Sequence, residues 1–356
     1  HRATQHGMQM SIYRSSEDKA AISRPFDVLQ IPSSLSPRRT RFPFPLPIAS
    51  IAVQDFYNGC VPTPYLNADL HCHSTFSDGT LTPAALADRA QQGGVDLWSL
   101  TDHDELAGQA AACAAAHAHG LDYLTGVEIS ASYASHTIHI VGLGFDCAHE
   151  PLQKGLHALR HSRGPRAQEM GHQLALAGIP GAYEGALRYV GNPDLISRTH
   201  FARFLVDAGV CADMAEVFHR FLTEGKPGFV PQRWASVREA VQWITGAGGV
   251  AVLAHPARYD VNDTLEYALL TEFKDSGGQG IEVTCGGHSA AEAAHYADCA
   301  REWRLHASRG SDFHSPAESR VALGALPALP RGLPSVWELL TERIQAPPGR
   351  AHGHPV

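Results

Sequence analysis

His71 and His73 stand two residues apart in D-L-H-C-H-S-T-F-S-D-G, residues 69–79. On an extended chain that spacing turns both imidazoles to one side, where they can clasp one divalent ion. Asp78 follows within reach of a second. Comparable donors recur farther on: Asp102, His103 and Asp104 in T-D-H-D, Glu128 in G-V-E-I-S, His139 in T-I-H-I-V-G-L, His255 in A-H-P, and Asp312 with His314 in S-D-F-H-S. Oxygen and imidazole donors of this kind suit hard or borderline cations. Singly, each has a plainer reading. A chain with 22 histidines holds some His-x-His pairs by chance. Glu128 alone reads as a strand-end carboxylate, His139 as a core imidazole, His255 as a turn residue before Pro256, and Asp312 as a helix cap.

Their placement along the chain gives them joint weight. From residue 65 short apolar runs alternate with helical segments, the pattern of βα units. Seven runs read as strands: 65–70, 96–100, 122–127, 137–143, 249–254, 280–284 and 304–308. After the first, Thr82 can cap a helix with Pro83 at its first position, and Gly93-Gly94 closes it. Residues 105–119, 236–247 and 290–301 give comparable helices, whereas 150–235 breaks the rhythm and reads as a mainly helical inserted cap. Nearly all the donors then fall at the carboxyl ends of strands or just beyond, where barrel enzymes assemble their sites, with His139 carried on the fourth strand. Nine such groups, His71, His73, Asp78, His103, Glu128, His139, His255, Asp312 and His314, are about what three divalent ions need, with water completing each shell. His136 rivals His139. Asp69 and Asp102 read either as partners that orient imidazoles or as strand-end acceptors for backbone N–H groups.

Composition accommodates this scheme. A chain of 356 residues with 44% hydrophobic content can bury a core large enough for one α/β domain or a barrel with an insertion. The net charge of −8 leaves no basic footprint for a long nucleic-acid duplex and suits a small anionic ligand held by a few arginines. Seven scattered cysteines without a C-x-x-C pair point to a reducing cytoplasm. Cys72, between the two histidines, faces the other way and reads as a small buried apolar residue. No apolar run approaches membrane-spanning length, and the longest candidate, 42–53, holds three prolines. Residues 1–64, rich in Ser, Pro and Arg, read as a disordered extension in which Glu17, Asp18 and Asp27 argue against organellar targeting. Residues 65–346 form the expected domain, and 347–356 a disordered tail.

The four motifs D-L-H-C-H, T-D-H-D, A-H-P and S-D-F-H together resemble those of the polymerase and histidinol phosphatase (PHP) family. The resemblance covers roughly 65–345. It implies a distorted (β/α)7 barrel with a trinuclear site, occupied by manganese or alternatively by iron or zinc. In that arrangement His71, His73, Glu128 and Asp312 hold one ion, Glu128 bridges to a second held by His139 and His255, and Asp78, His103 and His314 hold the third. H-I-V-G-L-G-F-D resembles the family's fourth motif, which favours His139 over His136. Within the family, S-R-T-H-F-A, G-K-P-G-F-V and V-W-E-L-L, with the long cap, resemble the nucleoside 3′,5′-bisphosphate phosphatase branch.

That branch implies removal of the 3′-phosphate from a nucleoside 3′,5′-bisphosphate. Arg163, Arg198, His200 and Lys226 become candidate phosphate contacts, because guanidinium grips phosphate bidentately and ammonium acts as a point charge. Asp104 or His200 could protonate the leaving oxygen, with water as the third option. The alternatives are a 5′-to-3′ exoribonuclease acting on 5′-phosphorylated RNA or short single-stranded ends, histidinol-phosphate hydrolysis, and a barrel that has lost its ions. The full donor set argues against the last. The sequence is silent on oligomeric state.

Overall fold

In the computed structural model, which describes residues 65–349, the barrel is built from seven short stretches whose buried character shows in the sequence. The strands are β1 (Ala68–Asp69), β2 (Leu97–Leu100), β3 (Asp122–Tyr133), β4 (His136–Leu143), β5 (Ala235–Ser236), β6 (Val250–Leu253), β7 (Gly280–Cys285) and β8 (His306–Gly310). Every residue of β2, β6 and β7 is buried, as expected of strands covered on both faces. The hydrogen-bonded order is β1-β2-β3-β4-β6-β7-β8, and Leu70 N donates to Arg309 O at 3.0 Å, drawing the ends together. β5 lies off this path, paired with β3 through Ala131 and Ser132. The expected extension over 1–64, and all but three residues of the expected tail, lie outside the described residues.

Two expectations need correction. β3 continues six residues past 127 to Tyr133, so Glu128 lies within the strand, opposite Val141. β4 turns back from it as a hairpin and is antiparallel to both β3 and β6. The carboxyl-end rule therefore fails for His139. It reaches the same end of the barrel because its strand runs the other way. Directly paired residues share a face of a sheet, and His139 pairs with Ser130, which shares a face with Glu128. His136 pairs with Tyr133 on the opposite face, which decides between the two histidines on pleat alone.

Helices α1 (Pro83–Gln92) and α2 (Gln109–Ala118) pack between the first strands, α1 capped by Thr82, whose Oγ1 accepts from Ala85 N at 3.3 Å. α2 starts four residues later than expected because Glu105 bonds the backbone N–H groups of Leu106 and Ala107 in a turn. Between β4 and β5 run α3 (Glu150–Leu176), α4 (Ala182–Leu187), α5 (Arg198–Asp207) and α6 (Met214–Val217). α3 passes through Pro165 without ending. Its first half buries Leu152, Leu156 and Leu159 in the barrel core, and its second half buries Ala167, Met170 and Leu174 in a separate core with Phe201, Leu205 and Val217. Packing at both ends outweighs the local cost of the proline. α7 (Val237–Gly246), α8 (Asp263–Asp275) and α9 (Ala290–Trp303) complete the outer layer, α7 and α9 opened by the capping boxes Ser236/Glu239 and Ser289/Glu292. α8 was not expected from the sequence. Among the described residues no helix is long and apolar enough to cross a membrane.

Candidate metal centre

The loop after β1 carries His71 and His73 into the barrel mouth beside the end of β8. Gly310 makes this possible, since a Cβ there would strike the His71 side chain. Two carboxylates shape the loops. Asp102 accepts from Ser74 N at 2.7 Å, Ser74 Oγ at 2.6 Å and Ser77 Oγ at 2.5 Å, holding the turn that delivers Asp78. Asp69 accepts from Ser311 N at 2.8 Å and Gly324 N at 2.9 Å. Among the described residues neither bonds an imidazole; Asp69 accepts from backbone N–H groups, and Asp102 from one backbone N–H and two hydroxyls. Cys72 is fully buried, packed with Trp98 and away from the two rings. Among the described residues, three of the six non-glycine residues with positive φ, Asp104, His255 and Asp312, lie at this end of the barrel. Backbone held in that region is strained and concentrates at working sites.

All nine expected donors meet here. One set, with ligand atoms within 4.8 Å of one another, is His71, His73, Glu128 and Asp312; a second is His73, Asp78, His103 and His314; a third is His103, Glu128 and His139. Glu128 lies at the middle. Its Oε1 is 2.9 Å from His139 Nδ1 and 2.9 Å from His255 Nε2, and its Oε2 is 3.2 Å from His73 Nε2 and 2.9 Å from His103 Nδ1. Asp78 Oδ1 faces His314 Nε2 at 3.4 Å and His103 Nε2 at 3.8 Å. Geometrically, His73 and His103 each touch two sets.

So many donors in one buried space set their own charges. Burial opposes ionisation of Glu128, yet His139, His103 and His71 outweigh it and hold the carboxyl well below its usual range. Asp78 is lowered in the same way by His103 and His314 against its burial. Burial also works against a charged His73, but its hydrogen bond to Asp312 and the neighbouring Glu128 carboxylate overcome it and push the ring up to about 10. The donors fit a cation better than they fit each other: Asp78 Oδ1 and Glu128 Oε2 are buried beside ring nitrogens yet accept no hydrogen bond, and His73 Nδ1 likewise has none. Oxygen and nitrogen donors that converge without satisfying one another match the needs of divalent ions.

The remaining expected residues fare differently. Asp104 turns away, its carboxylate accepting from Ser130 N at 2.8 Å and ion-paired with Arg163. Both of its oxygens are thus taken up by Ser130 and Arg163, away from the other donors. His200 is buried on α5, with Nδ1 accepting from Ser197 N at 3.0 Å and Nε2 without a partner. Burial brings its ring down to about 4 against the opposing pull of Asp78, with Arg203 and Arg163 adding to the lowering. It is therefore a neutral N–H donor at pH 7 and not an acid. Arg163 is committed to Asp104 and lies over the Trp234 ring, 4.7 Å from its centre. Arg198 follows Ser197, whose Oγ lies 3.4 Å from Asp78 Oδ2. Lys226 stands on an exposed turn, and among the described residues no hydrogen bond or ion pair joins its ammonium to the centre.

Three residues were missed. Arg166, one turn beyond Arg163 on α3, also faces Trp234 and bonds Val230 O at 2.9 Å. Burial and the charges of Arg198 and Arg163 lower it to about 9, and among the described residues neither Arg166 nor Arg198 has a carboxylate partner. The i, i+3 spacing of R-G-P-R was the available signal. Arg258, two residues beyond His-Pro, pairs with Asp312. Glu282, in the middle of β7, bonds His71 Nδ1 at 2.8 Å, and an acid inside an apolar strand was its signal.

A family model described as the PHP domain matches residues 69–201. A 3′,5′-nucleoside bisphosphate phosphatase of Chromobacterium violaceum is 50% identical over 281 residues, 79% of this chain and 99% of that protein. The 5′-3′ exoribonuclease Rnm of Salmonella typhimurium is 42% identical over 272 residues, 76% of this chain and 92% of that one. A solved structure from Chromobacterium violaceum, described as an amidohydrolase with bound sulfate and no metal, is 49% identical and superposes with a TM-score of 0.77, covering 80% of this chain and 99% of that one.

Proposed function

This chain belongs to the PHP domain family, and we propose that it is a metal-dependent phosphoesterase that removes the 3′-phosphate of nucleoside 3′,5′-bisphosphates, converting adenosine 3′,5′-bisphosphate to AMP and phosphate. One observation carries the substrate class. Arg166 and Arg198 are half-buried guanidiniums with no carboxylate partner among the described residues, and Arg198 follows Ser197, whose hydroxyl reaches Asp78 of the donor cluster. Two half-buried cations without acidic partners suit an anion, and the donor cluster suits cations that would take another. A ligand with two phosphates a nucleoside apart satisfies both.

The nine donors would hold three divalent ions, manganese in our reading with iron or zinc as alternatives. When bound, such ions activate water and neutralise phosphoryl oxygens. The protein's own part is positional. Arg166 and Arg198 would grip the distal phosphate, and His200 Nε2–H would donate to substrate, while a water protonates the departing ribose oxygen. Asp104 would keep Arg163 folded over Trp234, and Ser197 would join α5 to Asp78. We take residues 65–346 as the working unit with 150–235 as its cap, in a reducing cytoplasm, with small nucleotides as partners and no membrane.

The Salmonella relative keeps a second reading open, in which the same arginines hold a 5′-phosphate at the end of RNA. Purified protein with manganese should release phosphate from adenosine 3′,5′-bisphosphate faster than it releases mononucleotide from a 5′-phosphorylated RNA oligomer. No phosphate from the bisphosphate, with turnover of the oligomer, would replace the first reading by the second.

A further inference from the structure

We propose that Glu282 positions two candidate ligands of different ions at once, so that one carboxylate assembles two-thirds of the centre and leaves the rest untouched. The inference rests on the metal-centre reading above. Glu282 lies in β7 between Ile281 and Val283, which point outward into the barrel's apolar core, and the pleat therefore turns it inward, where it is 1% exposed. Its two oxygens serve two different residues. Oε1 is 2.8 Å from His71 Nδ1, and Oε2 accepts from His255 N at 2.6 Å.

The first contact selects a tautomer. With Nδ1–H donated to Glu282, the lone pair of His71 sits on Nε2, which faces Glu128 Oε1 at 3.3 Å and Asp312 Oδ1 at 3.4 Å. The second contact fixes backbone. His255 has φ 25° and ψ 56°, a conformation that needs outside support in a residue with a Cβ, and its N–H is held by Glu282. Held so, its ring puts Nε2 2.9 Å from Glu128 Oε1 and 3.3 Å from His139 Nδ1. Glu282 is in none of the three donor sets, and it has no hydrogen bond or ion pair with Asp78, His103 or His314. Gly310 leaves room for the carboxylate there, since a Cβ on it would come within 2.9 Å of Glu282 Oε1.

Manganese stoichiometry and affinity, read by equilibrium dialysis with elemental analysis of the full chain, test this. Glu282→Gln keeps the shape but can accept from only one of the two donors, its amide NH2 facing the other. Glu282→Asp keeps the charge and loses reach. Each should weaken two of three ions by about 10- to 100-fold, leave the third within twofold, and preserve the circular dichroism spectrum. Wild-type protein that binds manganese while both variants bind it equally well would overturn the inference alone. Even weakening of all three ions, or unfolding of both variants, would overturn it as well, because either marks Glu282 as general support. Wild-type protein that binds no manganese would overturn the metal reading and this inference together.

Discussion

Arg203 on α5 meets Glu318, in the loop that follows His314, through two parallel bonds of 2.7 Å from Nε and Nη2. The same loop is tightened by Ser319 Oγ, which accepts from His314 N at 2.8 Å. This pair fastens the helix carrying Arg198 and His200 to a donor of the centre. Its side chains are 7% and 23% exposed, so water weakens it only in part. Charge-assisted bonds in such surroundings contribute about 1.5–3 kcal/mol, and allowing for water at Glu318 the coupling should be about 2 kcal/mol. Glu318→Ala should cost about 3 kcal/mol because it strands a guanidinium in the interior, whereas Arg203→Met leaves a carboxylate that water reaches and should cost about 2 kcal/mol. A double-mutant cycle by urea unfolding measures the coupling directly. The single variants should also raise KM for the bisphosphate more than they lower kcat, since α5 shifts relative to Asp78. A coupling energy below about 0.5 kcal/mol would refute the latch.

Asp78→Ala or His314→Ala should cut turnover at least about 10³-fold, or some 4 kcal/mol, with an unchanged circular dichroism spectrum, and near-normal turnover would refute their place in the centre. Arg166→Ala or Arg198→Ala should raise KM for a 3′,5′-bisphosphate about 10- to 100-fold and barely affect a nucleoside 3′-monophosphate; equal losses on both would rule out the second-phosphate role. In chelator-stripped protein His73, pushed up to about 10, titrates above its unfolded value of about 6.5, so its contribution is complete below pH 6.5 and is lost toward pH 10. The stripped protein's Tm should therefore fall from pH 7 to 10, while manganese affinity rises as the rings give up protons. Calorimetric titration in buffers of different ionisation heat reads that release, and affinity independent of pH would contradict it.

What could be read from the sequence was what depends on local spacing. His71-x-His73, Thr82-Pro83 and the buried runs of β2 and β6 carry their structure in a few neighbouring residues. Directions and partners were not legible. Nothing in T-I-H-I-V-G-L says that β4 runs against its neighbours, and the assumption of uniformly parallel strands put Glu128 at a strand end when it lies inside β3. Asp104 looked available because T-D-H-D does not show Arg163, 59 residues away, closing on it. Nothing local shows that α3 runs on through Pro165, because the two cores that it spans form from residues far off in the chain. Arg166 and Glu282 were visible as residue types, but their meaning lies in what is absent around one and present around the other.

The claim on which the rest depends is that these nine donors form a metal centre that cleaves phosphate esters. Protein stripped with a strong chelator, and verified to hold less than about 0.1 metal ion per chain, should be inactive on adenosine 3′,5′-bisphosphate and should regain phosphate release on addition of manganese. Full activity in the stripped protein would contradict the account.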